Sequence, residues 1–451
     1  MSTIVIFILP NPGGLYATLG LANHLLSRGH DVHYFGFADS KAAVHAQGFP
    51  FTAIFEGHFP KGFLLETETL ETLPPGLAAF RAQRKFIGRI NAFIEDLLTR
   101  GGEILQDSLM RLAPDLVIFA SADKWMEWPA FVTSAKGLTC VYFHDSLSPA
   151  VGSGLPPISS PLVPTGTRRS RWKISTAWWR VRCEERLRSV IARALGLYLD
   201  FDGIRFRFAL RYGYPLDLCL TDRQAPGLTE LVAWPRALEF AHAEMPQRVY
   251  IGTSLALHRP DEPFPWDRLD ETRPLFYCAL GSLVWFGKER YRRFFQTIIE
   301  VARSRPHRQW VIATGAGLNP EDLEYSLSDI VIVKKAPQLE ILRRAHLMVT
   351  HGGANTIKEC AFMGVPMISF PLGYDHPGNT ARMVYHGLGL HGDIKKLSVS
   401  YLEGLILAIE QSTAIRENVP RIRDILHQEQ EAGLLAPIMD SLLTKKIYPR
   451  R

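Results

Sequence analysis

A short segment after residue 344 combines residue types that bind a phosphorylated ligand. Residues 345–350 (AHLMVT) form an apolar run that predicts a buried strand, and a helical pattern resumes at Asn355, after His351, Gly352 and Gly353. The first turn of such a helix carries backbone N–H groups without intrahelical acceptors, and its dipole favours negative charge. The two glycines let a diphosphate approach the backbone closely. The segment therefore predicts an anion site at the start of a helix.

Polar side chains continue the pattern. Asn355 and Thr356 supply side-chain donors in the first turn, and Glu359 lies about one turn beyond Asn355 on the same helix face. An acceptor-only carboxylate there suits the two hydroxyls of a ribose. Asp375 and His376 follow a second apolar run (VPMISF), so we expect them at another strand end beside the same crevice. Together these residues predict a site for a nucleoside diphosphate that carries a sugar.

The elements that position these residues read as two successive α/β units. The first unit opens with a strand, a glycine turn and a helix, and its predicted strands are 3–10, 31–37, 115–121 and 139–145. The second contains a helix over 289–304 and predicted strands at 274–282, 310–315, 330–335, 347–350 and 366–370. The predicted fold class is therefore α/β, with two Rossmann-like doubly wound parallel-sheet domains that face each other across a cleft.

A proline-rich stretch, HRPDEPFPWDR, separates the two units and predicts the domain boundary. We predict an acceptor-binding domain over 1–248, a nucleotide-sugar-binding domain over 249–425, and a helical tail over 426–451. Ligands of open parallel sheets bind outside the carboxyl ends of the strands. The glycine turns at residues 11–14 and 351–353 both follow predicted strands, so the nucleotide sugar and the acceptor of its sugar are both expected in one inter-domain cleft.

Composition limits the alternatives. The 451 residues are 47% hydrophobic and 21% charged, as in a globular protein with more than one domain. The sequence predicts neither a signal peptide nor a membrane-spanning helix, since no apolar run reaches about eighteen residues. The five cysteines are scattered, without C-x-x-C pairs. This favours free thiols in a reducing cytoplasm and disfavours zinc.

The net charge of +6 is concentrated in one segment, residues 168–193. There, basic residues outnumber Glu184 and Glu185 and are interleaved with Trp172, Trp178 and Trp179. Such a pattern suits peripheral contact with an anionic membrane, although a solvated helix whose aromatics pack on the core gives the same pattern. No nucleic-acid-binding motif accompanies the segment, so we predict no nucleic-acid partner.

The segment from Lys335 to Asn379 also resembles the donor signature of family 1 glycosyltransferases, which use nucleotide sugars and have the GT-B fold. The resemblance is greatest to the bacterial branch of zeaxanthin and macrolide glucosyltransferases. It implies that Pro337 and Gln338 lie at the base and ribose, while Ser282 contacts phosphate. The donor-binding residues that it implies are Ser282, Pro337, Gln338, His351, Gly352, Gly353, Asn355, Thr356, Glu359, Asp375 and His376.

The same resemblance implies an inverting hexosyltransferase that needs no cofactor or metal. Lys335 stands where plant members place a tryptophan against the base, so UDP and TDP both remain open, with UDP-glucose as the first expectation. The acceptor is expected to be small and lipophilic. The single D-x-D motif, residues 200–202, lies far from the donor signature, which disfavours a metal role.

The expected catalytic base is missing. The resemblance implies a histidine in the N-terminal glycine turn, and Gly14 occupies its position. Four alternatives stay open: Asp123 accepts the proton, His144-Asp145 supplies the base, the acceptor is acidic enough to need little help, or catalysis is lost. On the acceptor side, Gly14, Trp125 and Phe143 are expected to border an apolar pocket.

Three other functions remain open on the sequence alone. Gly14 in place of the base motivates a non-catalytic sugar-nucleotide-binding protein or partner subunit. A nucleotide-sugar epimerase uses the same two-domain architecture. A membrane scaffold built on residues 168–193 would need no nucleotide. A nicotinamide site is disfavoured, because no G-x-G-x-x-G opens a helix after a strand.

Overall fold

The structure is a computed structural model. It describes residues 1–10, 12–74, 76–120, 128–145, 147, 154–199, 201–214, 228–241, 248–257, 259, 262–281, 287–323 and 330–444. Within these ranges the strands form two separate parallel sheets, of seven and six strands. The predicted α/β class with two parallel-sheet units is confirmed.

The first sheet has the order β3-β2-β1-β4-β5-β6-β7. Its strands are β1 Thr3–Ile8, β2 Asp31–Gly36, β3 Phe51–Ala53, β4 Leu116–Ala120, β5 Cys140–His144, β6 Thr229–Val232 and β7 Arg248–Tyr250. The helices of this half are Pro12–Ser27, Lys41–His45, Phe63–Thr72, Leu77–Asp96, Gly102–Leu112, Trp128–Ala135, Arg168–Leu195 and Phe201–Arg211.

The second sheet has the order β10-β9-β8-β11-β12-β13. Its strands are β8 Leu275–Ala279, β9 Gln309–Ala313, β10 Ile330–Val333, β11 Ala345–Thr350, β12 Met367–Ser369 and β13 Gly389–His391. The helices that follow β8 in the chain are Lys288–Ser304, Gln338–Leu342, Ala354–Met363, His376–Tyr385, Val399–Gln411, Thr413–Glu431 and Leu435–Thr444.

The central strands are largely apolar because helices cover both faces of each sheet. Every residue of β4, β5, β8 and β9 is buried. Two apolar clusters lie on the two faces of the first sheet, and a larger one surrounds the second sheet. The near-continuous apolar runs in the sequence are the direct consequence of this double burial.

The strand order reverses between β1 and β4 in the first sheet, and between β8 and β11 in the second. Such switch points open a crevice outside the carboxyl ends of the strands. The ends of β8 and β11 coincide, because Ala279 pairs with Thr350. The crevice of the second sheet therefore lies directly above the segment that begins at His351.

The chain passes from one sheet to the other between Tyr250 and Leu275. Strand β7 begins at Arg248 and pairs with β6, so the last strand of the first sheet extends slightly past residue 248. The C-terminal helix Leu435–Thr444 contributes Met439 and Leu442 to a cluster of the first half. The division at residues 248 and 425 itself stays a prediction.

One local boundary differs from the sequence prediction. The first helix begins at Pro12, so the two glycines expected in a turn form part of its first helical turn. Proline is well tolerated at a helix start, because its missing N–H would have no intrahelical acceptor there. Gly14 therefore lies on a helix that points its N-terminus toward the cleft.

Candidate functional site

The loop after β11 has a backbone that only glycine adopts easily. Gly352 has φ +86°, and a Cβ at this position would lie 2.6 Å from both Ser369 Oγ and Thr380 Oγ1. Positive φ and this close approach both exclude a side chain. The chain can therefore turn sharply from the end of β11 into the helix Ala354–Met363, with Gly353 as the N-cap residue.

His351 is buried beneath the mouth of the site. A Cβ on either Gly281 or Gly353 would meet its Nε2 at 2.6 Å, so both glycine backbones pack on the imidazole. Its ring also lies edge to face with His376, 4.5 Å between centroids. Burial, followed by the charge of His376, holds the pKa of His351 well below 6.5. The ring is therefore neutral near pH 7 and can donate one hydrogen bond to a phosphate without adding positive charge.

The first turn of the helix Ala354–Met363 presents its backbone N–H groups toward the crevice. Asn355 Nδ2 donates to the carbonyl of Gly13 across the cleft, at 2.9 Å. Thr356 is buried, and Gln338 Nε2 lies 3.5 Å from its Oγ1. The start of this helix thus touches the start of the first helix in the other half, and a ligand at the helix N-terminus lies between the two sheets.

Glu359 lies one turn further along the same helix and is 1% exposed. Gln338 Nε2 donates to its Oε2 at 2.5 Å. Tyr277 Oη in turn donates to Gln338 Oε1 at 3.4 Å, which orients the amide. The predicted Pro337-Gln338 pair therefore reaches the predicted ribose carboxylate directly. Pro337 itself is half-buried and caps the short helix Gln338–Leu342.

The structure adds a residue that the sequence did not single out, Arg259. Its Nη2 donates to Glu359 Oε1 at 2.5 Å, and its guanidinium carbon lies 5.0 Å from the centre of the Tyr16 ring. Arg259 belongs to the proline-rich connection, where Glu262 also pairs with Lys335. Access of any ligand to the Glu359 carboxylate therefore depends on Arg259. The sequence did not reveal this role, because Arg259 is one of several charged residues in the connection and its spacing matches no motif.

Asp375 and His376 close the other side of the crevice. Asn379 Nδ2 donates to Asp375 Oδ2 at 2.8 Å, and the backbone N–H of Gly373 donates to His376 Nδ1 at 3.3 Å. Burial lowers the pKa of His376 to about 4, so the ring is neutral near pH 7. The structure thus brings Asp375 and His376 to the same crevice as His351, as the spacing predicted.

A pH-dependent stability effect follows from Asp375. Burial raises its pKa from 3.8 to about 6, against the hydrogen bond from Asn379, and the charge of Asp145 adds to the increase. A raised carboxyl pKa stabilises the fold fully below about pH 3.8, and this contribution is lost as pH rises through about 6. The ionised form thus opposes folding near pH 7. The side chain keeps 20% exposure, which reduces the effect.

We therefore expect Asp375→Asn to raise the free energy of unfolding at pH 7 by about 1–2 kcal/mol, less than the pKa change alone would give. The gain should shrink on acidification and vanish below about pH 4. Urea unfolding at several pH values measures it. A gain that stays constant with pH would contradict the assignment.

The acceptor side is described only in part. Asp123, Trp125 and Ser282 lie outside the described residues, as does Asp200 of the D-x-D motif. Phe143 is fully buried within β5. His144 is 1% exposed, and its Nε2 lies 3.1 Å from Glu230 Oε2. This position does not present the ring to a ligand in the cleft, so the geometry does not favour His144 as the base. Its assignment stays a prediction.

Lys358 ties the two halves together. Its Nζ donates to the carbonyl oxygens of Ala233, at 2.8 Å, and Thr253, at 3.1 Å, both of which follow strands of the first sheet. Burial lowers the pKa of Lys358 to about 8, while the charges of Glu359 and Asp145 act in the opposite direction. Lys358 is therefore mostly protonated near pH 7, and it places a buried positive charge beside the cleft.

No group of three or more His, Cys, Asp or Glu side chains that could hold a metal ion occurs among the described residues. Nor does any helix of the described ranges have the length and apolarity needed to cross a bilayer.

Comparisons with known proteins agree with this geometry. Residues 230–435 match the family model described as "UDP-glucoronosyl and UDP-glucosyl transferase", and this range contains every described residue of the donor crevice. The chain is similar to NDP-glycosyltransferase YjiC of Bacillus subtilis, with 27% identity over 209 residues that cover 46% of this chain and 51% of the relative. It is also similar to zeaxanthin glucosyltransferase of Pseudescherichia vulneris, with 26% identity over 337 residues, 72% of this chain and 75% of the relative.

The aligned part of the chain spans about half the length of YjiC. Among solved structures, the glycosyltransferase VinC in complex with DTDP superposes with a TM-score of 0.63 at 17% identity, over 97% of this chain and all of VinC. At that identity the likeness concerns the fold. It agrees with two facing parallel-sheet domains.

Proposed function

We propose that this chain, whose residues 230–435 match the family model described as "UDP-glucoronosyl and UDP-glucosyl transferase", moves a hexose from a UDP- or TDP-linked sugar to a small lipophilic acceptor. One observation carries the proposal. At the switch point of the second sheet, a glycine-bounded helix N-terminus and the buried Glu359 lie one helical turn apart. That spacing suits a diphosphate and its ribose.

The proposed reaction inverts the configuration at the anomeric carbon and uses no metal. The departing diphosphate gains negative charge, which the helix N-terminus at Ala354 and the neutral imidazole of His351 stabilise through hydrogen bonds. Ser282 is proposed as a further phosphate contact. Asp375 and His376 hold the sugar hydroxyls. UDP-glucose remains the first donor to test, with no separate cofactor.

The acceptor is proposed to enter from the first half, over residues 1–248, while residues 249–425 hold the donor and the tail over 426–451 packs back. Gly14, Trp125 and Phe143 are proposed to border the acceptor. Asn355 supports this arrangement, because its bond to Gly13 places the donor helix beside the glycine-containing helix start. Both substrates would then share one cleft.

A panel of nucleotide sugars tests the proposal. Calorimetry with UDP-glucose, TDP-glucose, GDP-mannose and free ADP should show binding of a UDP or TDP sugar, and product analysis with lipophilic alcohols and phenols should show transfer. Binding without transfer to any acceptor would support the second candidate, a non-catalytic nucleotide-sugar-binding protein, which Gly14 motivates. Absence of nucleotide binding would contradict both.

Contact with an anionic membrane is a further part of the proposal. In the helix Arg168–Leu195, the described buried residues are Ser170 and Ile174 alone. Trp172 and Trp179 are 68% and 65% exposed. Exposed tryptophans among basic side chains suit an anionic lipid surface, where a lipophilic acceptor would also be found.

We expect the protein to bind vesicles that contain phosphatidylglycerol, and to bind phosphatidylcholine vesicles much more weakly. Replacing Trp172 and Trp179 together by alanine should reduce binding about tenfold or more, since two interfacial aromatic anchors are lost. Leu65→Ala, at an equally exposed apolar residue, is the control. Co-sedimentation measures binding, and equal loss in the control would contradict a specific membrane face.

A further inference from the structure

Gly14 stands where the resemblance implies a histidine base, and the structure shows what faces that position. A Cβ built on Gly14 would lie 3.3 Å from Asp145 Oδ2. A carboxylate oxygen therefore occupies the space where a side chain at residue 14 would begin. Asp145 reaches this point because it directly follows β5, at the carboxyl edge of the first sheet.

The donor side lies close to the same carboxylate. The charge of Asp145 contributes to the raised pKa of Asp375, after burial, and it also acts on the pKa of buried Lys358. Asp375 and Lys358 both belong to the second half, whereas Gly14 and Asp145 belong to the first. Asp145 is therefore near both the glycine of the acceptor side and the proposed sugar-binding carboxylate.

The neighbouring candidate differs in its surroundings. His144 is the last residue of β5, and its imidazole is buried against Glu230. Asp145 lies beyond the end of the strand and is only half-buried. Of the pair His144-Asp145, the second residue thus faces the cleft.

We propose that Asp145 is the general base of the transfer and replaces the histidine that the resemblance implies at position 14. This inference rests on the proposed function. The acceptor oxygen forms a bond to the anomeric carbon and gives its proton to a carboxylate oxygen of Asp145. The bond from that carbon to the diphosphate oxygen breaks, and its electron pair leaves with the diphosphate. The proton on Asp145 then passes to water.

The glycine and the aspartate are complementary. A contact of 3.3 Å from a Cβ is tighter than most real Cβ contacts, so a side chain at residue 14 requires the Asp145 carboxylate to shift by a few tenths of an ångström. Lys358 is held by two carbonyl groups on the first half, and its positive charge lies near enough to interact with the charge of Asp145. Absence of a side chain at residue 14 thus gives the acceptor hydroxyl access to this carboxylate.

Two acceptors that differ in acidity test the proposal. Benzyl alcohol keeps its proton until a base removes it, whereas 4-nitrophenol is already ionised above neutral pH. With UDP-glucose or TDP-glucose as donor, we expect Asp145→Asn to lower kcat for benzyl alcohol by about 10²–10⁴-fold. At mildly alkaline pH the loss with 4-nitrophenol should be at least tenfold smaller. Nucleotide affinity by calorimetry should stay within about twofold of the native value.

Equal losses with both acceptors would overturn the base assignment, because a structural defect lowers both rates alike. Full activity of Asp145→Asn with benzyl alcohol would overturn it too, while leaving the transferase function intact. Absence of nucleotide binding by the native protein would instead contradict the proposed function itself.

A second variant separates this proposal from loss of catalysis. If Asp145 is the base, the Gly14→His variant should transfer sugar more slowly than the native protein, because the new side chain displaces the carboxylate. If the protein is a silent binder, Gly14→His should create activity where the native chain has none. Gain of activity in Gly14→His would therefore overturn the assignment. Gly88→Ala, at an exposed position of the helix Leu77–Asp96 where a Cβ would meet nothing within 4 Å, controls for a general effect of replacing a helical glycine.

Discussion

Replacement of Glu359 by alanine is expected to weaken the binding of UDP about 100-fold. The carboxylate is buried in the crevice and is oriented by Gln338 and Arg259. Hydrogen bonds to a charged acceptor contribute about 1.5–3 kcal/mol each, and a ribose offers two hydroxyls. Their combined loss of about 3 kcal/mol corresponds to roughly two orders of magnitude in Kd.

Calorimetry can assign this loss to the ribose. The affinity of inorganic pyrophosphate, which lacks the sugar, should change little in Glu359→Ala, because the helix N-terminus that binds it remains. Glu340→Ala is the matched control, since Glu340 is exposed nearby and pairs with Arg343. Glu359→Gln keeps the shape and should give an intermediate loss. Unchanged nucleotide affinity in Glu359→Ala would show that the ribose lies elsewhere.

The Glu359→Ala substitution also removes an ion pair with Arg259, which could affect stability as well as binding. Arg259 forms this ion pair with Glu359 in the structure, so a bound ribose must share or replace its hydrogen bond. Removing Glu359 leaves the Arg259 side chain, which is 21% exposed, without its carboxylate. Because Arg259 is partly exposed, water can solvate it. The affinity loss is therefore expected without a large loss of stability, and thermal unfolding of Glu359→Ala verifies that the two effects are separate.

The proposed donor crevice could be located from the sequence because its residues are neighbours in the chain. His351, Gly352 and Gly353 follow one strand, and Glu359 lies on the helix that the glycines introduce, so local periodicity gives their relative positions. The strands were predictable for a related reason: burial on both faces requires unbroken apolar runs. The structure confirms two parallel sheets from this signal.

Contacts between residues far apart in sequence were not predictable in this way. Arg259 and Glu359 are 100 residues apart, and Asn355 bonds to Gly13 over 342 residues. The first pair depends on the path of the connection between the sheets, and the second on the rotation of one sheet relative to the other; no hydrophobic period encodes either. The approach of the Asp145 carboxylate to Gly14 is likewise a contact between residues far apart in sequence. Sequence reasoning named the pair His144-Asp145, but only the strand end shows which of the two faces the cleft.

The mutual placement of the halves depends on a second buried pair. Arg382 Nε donates to Glu239 Oε1 at 2.7 Å, and both side chains are 2% exposed. The guanidinium also donates to the carbonyl of Gly378 and lies 4.5 Å from the ring centre of Phe240. Arg382 belongs to the helix His376–Tyr385 of the donor half, whereas Glu239 precedes β7 of the first sheet. This ion pair therefore joins the helix that begins beside Asp375 to the other half.

Arg382→Met is expected to lower the free energy of unfolding by about 3–5 kcal/mol, because it leaves the Glu239 carboxylate buried without its cation. Arg293→Met is the control: Arg293 pairs with Glu289 on an exposed helix face, so its loss should cost less than about 1 kcal/mol. Chemical unfolding measures both.

The double variant Arg382→Met with Glu239→Leu separates an unpaired charge from lost packing. It should be more stable than Arg382→Met alone, because it buries no uncompensated carboxylate. A double variant that is less stable than the single one would mean that Glu239 is stabilised by its own half, through the N–H of Phe240, and that the pair contributes little across the cleft. Recovery in the double variant would instead locate the coupling between the two sheets in this ion pair.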